Sequence, residues 1–194
     1  MKTFRRIIVR ISLLAIIIFY ITSIESYAFD PPDEYSHQFI GVAKCKMCHK
    51  KEKKGFQYEI WRESAHSRAY ETLATPDAKE LGKKYGVIDP QKDSKCLRCH
   101  TTGHDAPSEF KGRKYDISEG VGCESCHGAG GDYYRSKVMK GIRRGRINRE
   151  RYGLIIPNEE TCKECHNADG HMPVKEEFNF KLMWAKIAHP IPEG

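Results

Sequence analysis

Residues 120–133 read GVGCESCHGAGGDY, and the centre of that stretch decides how the chain is built. Cys123, Cys126 and His127 form a C-x-x-C-H, the attachment signature of c-type haem. Two thiols three residues apart lie on one side of a helical turn, so both reach the two vinyl groups of one porphyrin. The next residue then brings an imidazole nitrogen to the iron as its proximal ligand. The signature recurs as Cys45-Lys46-Met47-Cys48-His49, Cys96-Leu97-Arg98-Cys99-His100 and Cys162-Lys163-Glu164-Cys165-His166. All eight cysteines fall in these pairs, which leaves none for structural disulfides. Zinc ribbons, iron–sulfur centres and disulfide pairs also use C-x-x-C spacing, but none of them explains a histidine after every pair. The expectation is four covalently bound haem c groups, with His49, His100, His127 and His166 as proximal ligands.

The N-terminus points to export. Lys2, Arg5, Arg6 and Arg10 form a basic lead, residues 11–21 are apolar except for Ser12, and Ser26-Tyr27-Ala28 supplies the small residues of a cleavage site. So short an apolar run does not comfortably span a bilayer. Residues 1–28 therefore read as a secretory signal, against the competing reading of an uncleaved anchor, and residues 29–194 as one tetrahaem domain. The expected location is periplasmic or otherwise outside the cytoplasm. No integral span is expected in the mature chain, only peripheral association with a membrane redox complex.

Composition narrows the classes further. The formal charge of +7 falls to +4 once residues 1–28, with four bases and Glu25, are set aside. Eight propionates and four ferric centres bring the oxidised protein to about neutrality, so the basic sequence is no argument for nucleic acid. Without its signal the chain is poor in aliphatic residues. Porphyrin faces are expected to supply much of the core.

The fold class expected is mainly α with long irregular loops. The longest helical pattern covers residues 52–73, with His66, Tyr70 and Leu73 on one face. A short polar helix is expected over 77–86, basic and helical character over 134–151, and a second amphipathic helix over 178–188. Asn158 is placed to cap the turn that carries Cys162 and Cys165. Residues 105–116 read as a loop with at most a short hairpin. Motif starts 51, 27 and 39 residues apart exclude a regular repeat array.

Five histidines remain after the proximal four: His37, His66, His104, His171 and His189. That number permits full bis-histidine ligation without requiring it. A six-coordinate iron passes electrons, whereas an open position binds small molecules.

The segments GVAKCKMCHK, Trp61-x-x-Ser64-Ala65-His66-x-x-Ala69-Tyr70, CLRCHTTGH and VGCESCHGAG together resemble the tetrahaem cytochrome c-554 family, over nearly all of the mature chain. The resemblance implies a mostly helical electron carrier with closely stacked haem pairs. The family's type member takes electrons from an octahaem hydroxylamine oxidoreductase in ammonia oxidation. It also implies three bis-histidine haems and an open second haem. By this resemblance His66 is a distal ligand, to the fourth haem, and His189 one to the third. Relatives carry a further histidine shortly after the third motif, where this chain has Tyr133. The first haem is then open, or bound by tyrosinate, or served by a replacement such as His37 or His171, a histidine being the favoured choice. His104 lies near the second haem as a ligand, a proton donor or a loop residue, and His171-Met172 offers another ligand position. The basic run 137–151 is either a docking face for an acidic partner or a solvated surface that offsets propionates.

The function expected is an exported carrier of electrons between redox proteins, such as an octahaem hydroxylamine-oxidoreductase-like enzyme and a membrane or soluble acceptor. The alternative is a small haem enzyme acting on NO, hydroxylamine or nitrite at a five-coordinate haem.

Overall fold

Helices here are short because the sequence keeps interrupting them. The computed structural model describes residues 37–168, 170 and 178–189; the signal at 1–28, and His171 with Met172, lie outside these. The α-helices are α1 Val42–His49, α2 Gln57–Glu63, α3 Ala69–Thr72, α4 Pro76–Lys84, α5 Ser94–His100, α6 Cys123–His127, α7 Ser136–Arg143, α8 Glu159–Lys163 and α9 Phe180–Ile187. Five single 3₁₀ turns lie between them. Among the described residues the one β feature is an isolated parallel bridge between Phe39 and Lys111. The expected mainly helical class with long irregular connections is what the chain adopts.

The single helix expected over 52–73 is broken, and the backbone shows why. Gly55 (φ 96°) and Phe56 (φ 50°) both occupy the left-handed region, which ends the first turn before α2 begins. At the other end Ser64 is extended, and two serine hydroxyls compete for helical carbonyls: Ser64 Oγ donates to the Trp61 oxygen at 2.7 Å and Ser67 Oγ to the Arg62 oxygen at 2.8 Å. Short hydroxyl side chains offer the backbone such alternatives. The break has a structural use. It turns the His66 carbonyl outward to accept from Val121 N at 3.0 Å, while Trp61 Nε1 donates to the Val121 oxygen at 2.8 Å. This stretch is thereby clamped to the approach of the third motif. A β-carbon on Gly120 would stand 2.7 Å from that same His66 oxygen, so the close approach needs glycine.

Other expectations hold with shifted ends. Thr75 caps α4, accepting from Ala78 N at 3.2 Å, with Pro76 in the first turn where a missing N–H costs nothing. Asn158 and Thr161 form a reciprocal capping box on α8. The basic stretch is helical only over α7, and Asn179 caps α9.

The hairpin considered within 105–116 does not form. That loop pairs instead with the chain N-terminal to α1: Phe39 N donates to Phe110 O at 2.8 Å and Gly112 N to Phe39 O at 2.7 Å. On its other side Gln38 O accepts from Gly131 N at 2.8 Å. Residues 38–40 are thus threaded between the loop before the third motif and the loop after it. Buried apolar side chains among the described residues are few: Ile40, Val42, Leu73, Val87, Pro90, Leu97, Ala106, Tyr133 and Leu154.

Candidate functional site

Every motif lies at a short helix or the turn that follows it. Cys45, Cys48 and His49 lie in α1, the second motif closes α5, and the third is α6. Cys162 is in α8, with Cys165 and His166 in the turn beyond, where His166 N donates to Cys162 O at 2.9 Å. All eight cysteines are unpaired thiols. The Cys45 thiol is held up by a hydrogen bond with Cys123 and by burial. Cys165 is pushed up to about 12, first by burial and then by Cys99 beside it. Thiols of the first and third motifs therefore meet, as do those of the second and fourth. Among the described residues no three or more His, Cys, Asp or Glu converge on one point.

Three motif histidines have one ring nitrogen already committed. His100 Nδ1 lies 2.8 Å from Ala69 O, His127 Nδ1 3.2 Å from Ile155 O, and His49 Nδ1 3.1 Å from Gln57 Oε1. Oxygens can only accept, and the Gln57 amide is oriented by its own donation to Lys54 O. Each Nδ1 thus carries the proton and Nε2 keeps a lone pair, the tautomer an iron ligand requires.

Two rings stand opposite motif histidines. The centroids of His66 and His166 are 6.1 Å apart with planes at 66°, and those of His127 and His189 are 5.7 Å apart at 38°. A metal–imidazole bond is about 2 Å and a ring centre lies roughly 1 Å behind its nitrogen, so two axial imidazoles on one metal have centres about 6 Å apart. The donor set fits haem iron on this measure. Burial lowers the pKa of all four rings, favouring the neutral form that ligates. His166 also stacks on Phe178, 5.1 Å between centroids at 12°.

The remaining candidates are placed as follows. His37 Nδ1 contacts Asp132 Oδ2 at 2.7 Å. The His104 ring lies 3.6 Å from Asp105 Oδ1, and its carbonyl accepts from Lys111 Nζ at 2.8 Å. Tyr133 is 7% exposed, and its hydroxyl donates to Gly128 O at 2.7 Å and His127 O at 3.2 Å. Burial drives its pKa far above the ordinary phenol range, so it stands as a protonated phenol that closes the 128–133 loop. A cavity of about 520 Å³ lies beside that loop, lined by His37, Phe39, Arg149, Leu154, Ile155 and Ile156 among others.

Residues the motif pattern does not reveal hold the centres together. Glu124, inside the third motif and 4% exposed, accepts from Ile40 N at 2.9 Å, Gly41 N at 2.8 Å and Gly130 N at 2.7 Å. Glu119 accepts from Val42 N at 2.7 Å and so caps α1 from a distance. Thr102 links the second and third motifs, its hydroxyl 2.8 Å from Gly122 N and 2.7 Å from Ser125 Oγ. The only sequence signal for Glu124 is its place between two motif cysteines; Glu119 and Thr102 have none.

Burial raises the pKa of both Glu119 and Glu124 despite the N–H groups pulling it down. The native state then holds more protons than the unfolded chain above the ordinary glutamate value of 4.5. Unfolding free energy is expected to fall as pH rises from there through the folded values and then to level off. Denaturant unfolding across that range should show a shallower slope in Glu119→Gln; an unchanged slope would remove Glu119 from the account.

Comparison with known proteins places this arrangement among relatives. A family model described as cytochrome c554 and c-prime matches residues 44–128, which include the first three motifs. Cytochrome c-554 of Nitrosomonas europaea is 32% identical over 173 aligned residues, covering 83% of this chain and 68% of that protein. The solved structure of reduced cytochrome c554 from the same organism aligns with a TM-score of 0.49 at 24% identity, over 77% of this chain and 78% of that one.

Proposed function

The chain belongs to the cytochrome c-554 family, and on that premise we propose that it is an exported carrier with four haem c groups that passes electrons between redox proteins. Members are multihaem c-type cytochromes, so covalently bound haem c and a role in electron transfer follow from membership. Each bound haem supplies an iron that alternates between ferric and ferrous states.

The protein's own residues do the rest. Each cysteine pair anchors one macrocycle, and His49, His100, His127 and His166 present Nε2 to its iron. His66, facing His166, and His189, facing His127, would be the further ligands of those two haems. The observation that carries the reading is this pair of opposed imidazoles at 6.1 and 5.7 Å. Two neutral imidazoles per iron leave little to rearrange when an electron arrives. Cys45 lies beside Cys123 and Cys99 beside Cys165, so haems held by the first and third motifs, and by the second and fourth, would be attached near each other. Residues 1–28 serve as the export signal, and the periplasm is the compartment. The natural donor is an octahaem hydroxylamine-oxidoreductase-like enzyme, the acceptor a membrane or soluble cytochrome.

A second reading, a small haem enzyme acting on NO, hydroxylamine or nitrite, rests on Tyr133. A phenol spent on two backbone carbonyls is not a ligand, and it leaves the first haem to His37, to His171 or open. Pyridine haemochrome analysis should return four haems per chain, and two or fewer would end the carrier reading. Spectra of the ferric protein then divide the two. Low-spin signals indifferent to cyanide and NO support the carrier; a high-spin signal lost in Tyr133→His, together with activity, supports the enzyme.

A further inference from the structure

We infer that the surface formed by residues 135–156 docks an acidic redox protein over the third motif. This rests on the carrier reading and specifies the chemistry of its partner. Between 135 and 151 the exposed side chains include Lys137, Lys140, Arg144, Arg146, Arg149 and Arg151, against Glu150 as the one acid. Ion pairs among the described residues use none of these six bases.

The fold explains why they face outward together. In α7 the apolar residues Val138, Met139 and Ile142 recur at helical spacing and are half-buried, which turns Lys137, Lys140 and Arg144 to the other side. The chain then reverses at Gly145 (φ 66°), where Arg146 N donates to Gly141 O at 2.9 Å. Ile147 packs over Gly141, and Asn148 caps the next turn, accepting from Glu150 N at 2.8 Å. From there Ile155 N donates to His127 O at 2.9 Å, and His127 Nδ1 donates to Ile155 O at 3.2 Å.

The basic segment therefore runs into a motif histidine through two hydrogen bonds. Arg149 and Ile155 line one cavity at that point. One-signed charge around it accelerates encounter with the opposite sign and leaves the complex weak enough to separate. A redox protein with an acidic face gains attraction at long range from this surface, which runs into the shell of His127.

The test is stopped-flow reduction of the holoprotein by flavodoxin hydroquinone, an acidic one-electron donor that is left as its semiquinone. Charge reversal at four sites, Lys137→Glu, Lys140→Glu, Arg144→Glu and Arg146→Glu, is expected to lower the second-order rate constant tenfold or more at ionic strength of about 0.01 M. The gap should narrow to roughly twofold near 0.5 M, where screening shortens the reach of charge. Reduction by neutral dihydrolumiflavin should be unchanged. A flavodoxin rate that stays within twofold at low salt overturns the proposal, as does an equal loss from reversing Lys50, Lys53 and Lys54. Loss of binding to phosphatidylglycerol vesicles with the flavodoxin rate retained overturns it in favour of a lipid surface. Failure of dihydrolumiflavin to reduce the wild-type protein sinks the carrier reading instead. Should the fourfold variant lose its haems, Lys137→Ala with Lys140→Ala carries the test, with a threefold fall expected and no fall overturning the proposal.

Discussion

Chain made without haem, with all eight cysteines replaced by serine, is expected to be largely unfolded. The longest described helix, α4, has nine residues, and isolated helices below about 12–15 residues are marginal in water. Tertiary packing would have to hold them, yet the described buried apolar side chains are nine with Pro90, three of them as small as Ala106, Val42 and Val87. Ordering each residue costs about 1–2 kcal/mol of backbone entropy, which so few apolar contacts do not offset. Porphyrin faces supply the missing apolar surface, and each covalent attachment ties a motif to it. Far-ultraviolet circular dichroism should show most of the helical signal gone and no sigmoidal melt. A cooperative thermal transition in that variant would mean the polypeptide has a sufficient core of its own.

How much of this was legible in the sequence depends on the range of the interaction that decides each feature. C-x-x-C-H is a contiguous requirement of one macrocycle, so four copies could be read directly, and short helices among loops followed from breakers such as Pro76 and caps such as Asn158. The helix over 52–73 breaks where the Ser64 and Ser67 hydroxyls take helical carbonyls, and the break is held by a partner about 57 residues away: Val121 takes the Trp61 and His66 groups, a contact that local propensity does not encode. The loop over 105–116 is similar, since its edge is matched by Phe39 rather than by itself. Among the site residues, His66 and His189 entered through a resemblance rather than periodicity, and the structure sets them opposite His166 and His127. Tyr133 was singled out as an anomaly in a ligand position; its hydroxyl bonds to Gly128 and His127 depend on loop geometry that composition does not carry.

The second large effect is expected at Glu124. Glu124→Ala should lower the stability of the holoprotein by about 3–5 kcal/mol, the partly recovered cost of leaving three buried backbone donors without their acceptor. Its carboxylate joins three backbone N–H groups from two distant segments: Ile40 and Gly41 before α1, and Gly130 after α6. Removing it leaves three donors in a site from which water is largely excluded, and each unsatisfied buried group costs about 1–3 kcal/mol. Relaxation and entering water recover part of that sum. Glu124→Gln keeps one oxygen as an acceptor but turns the other into a donor facing N–H groups, so it should recover less than half of the loss. Because the same carboxylate holds residues 40–41 against the third motif, its removal should also loosen the first motif relative to the third. Hydrogen exchange should then quicken at Gly41, Val42 and Gly130 before it quickens at Thr75–Lys84 of the α4 region. A loss below about 1 kcal/mol, or exchange that rises evenly over the chain, would show that the contacts around Glu124 are replaceable and that haem attachment alone fixes the two motifs.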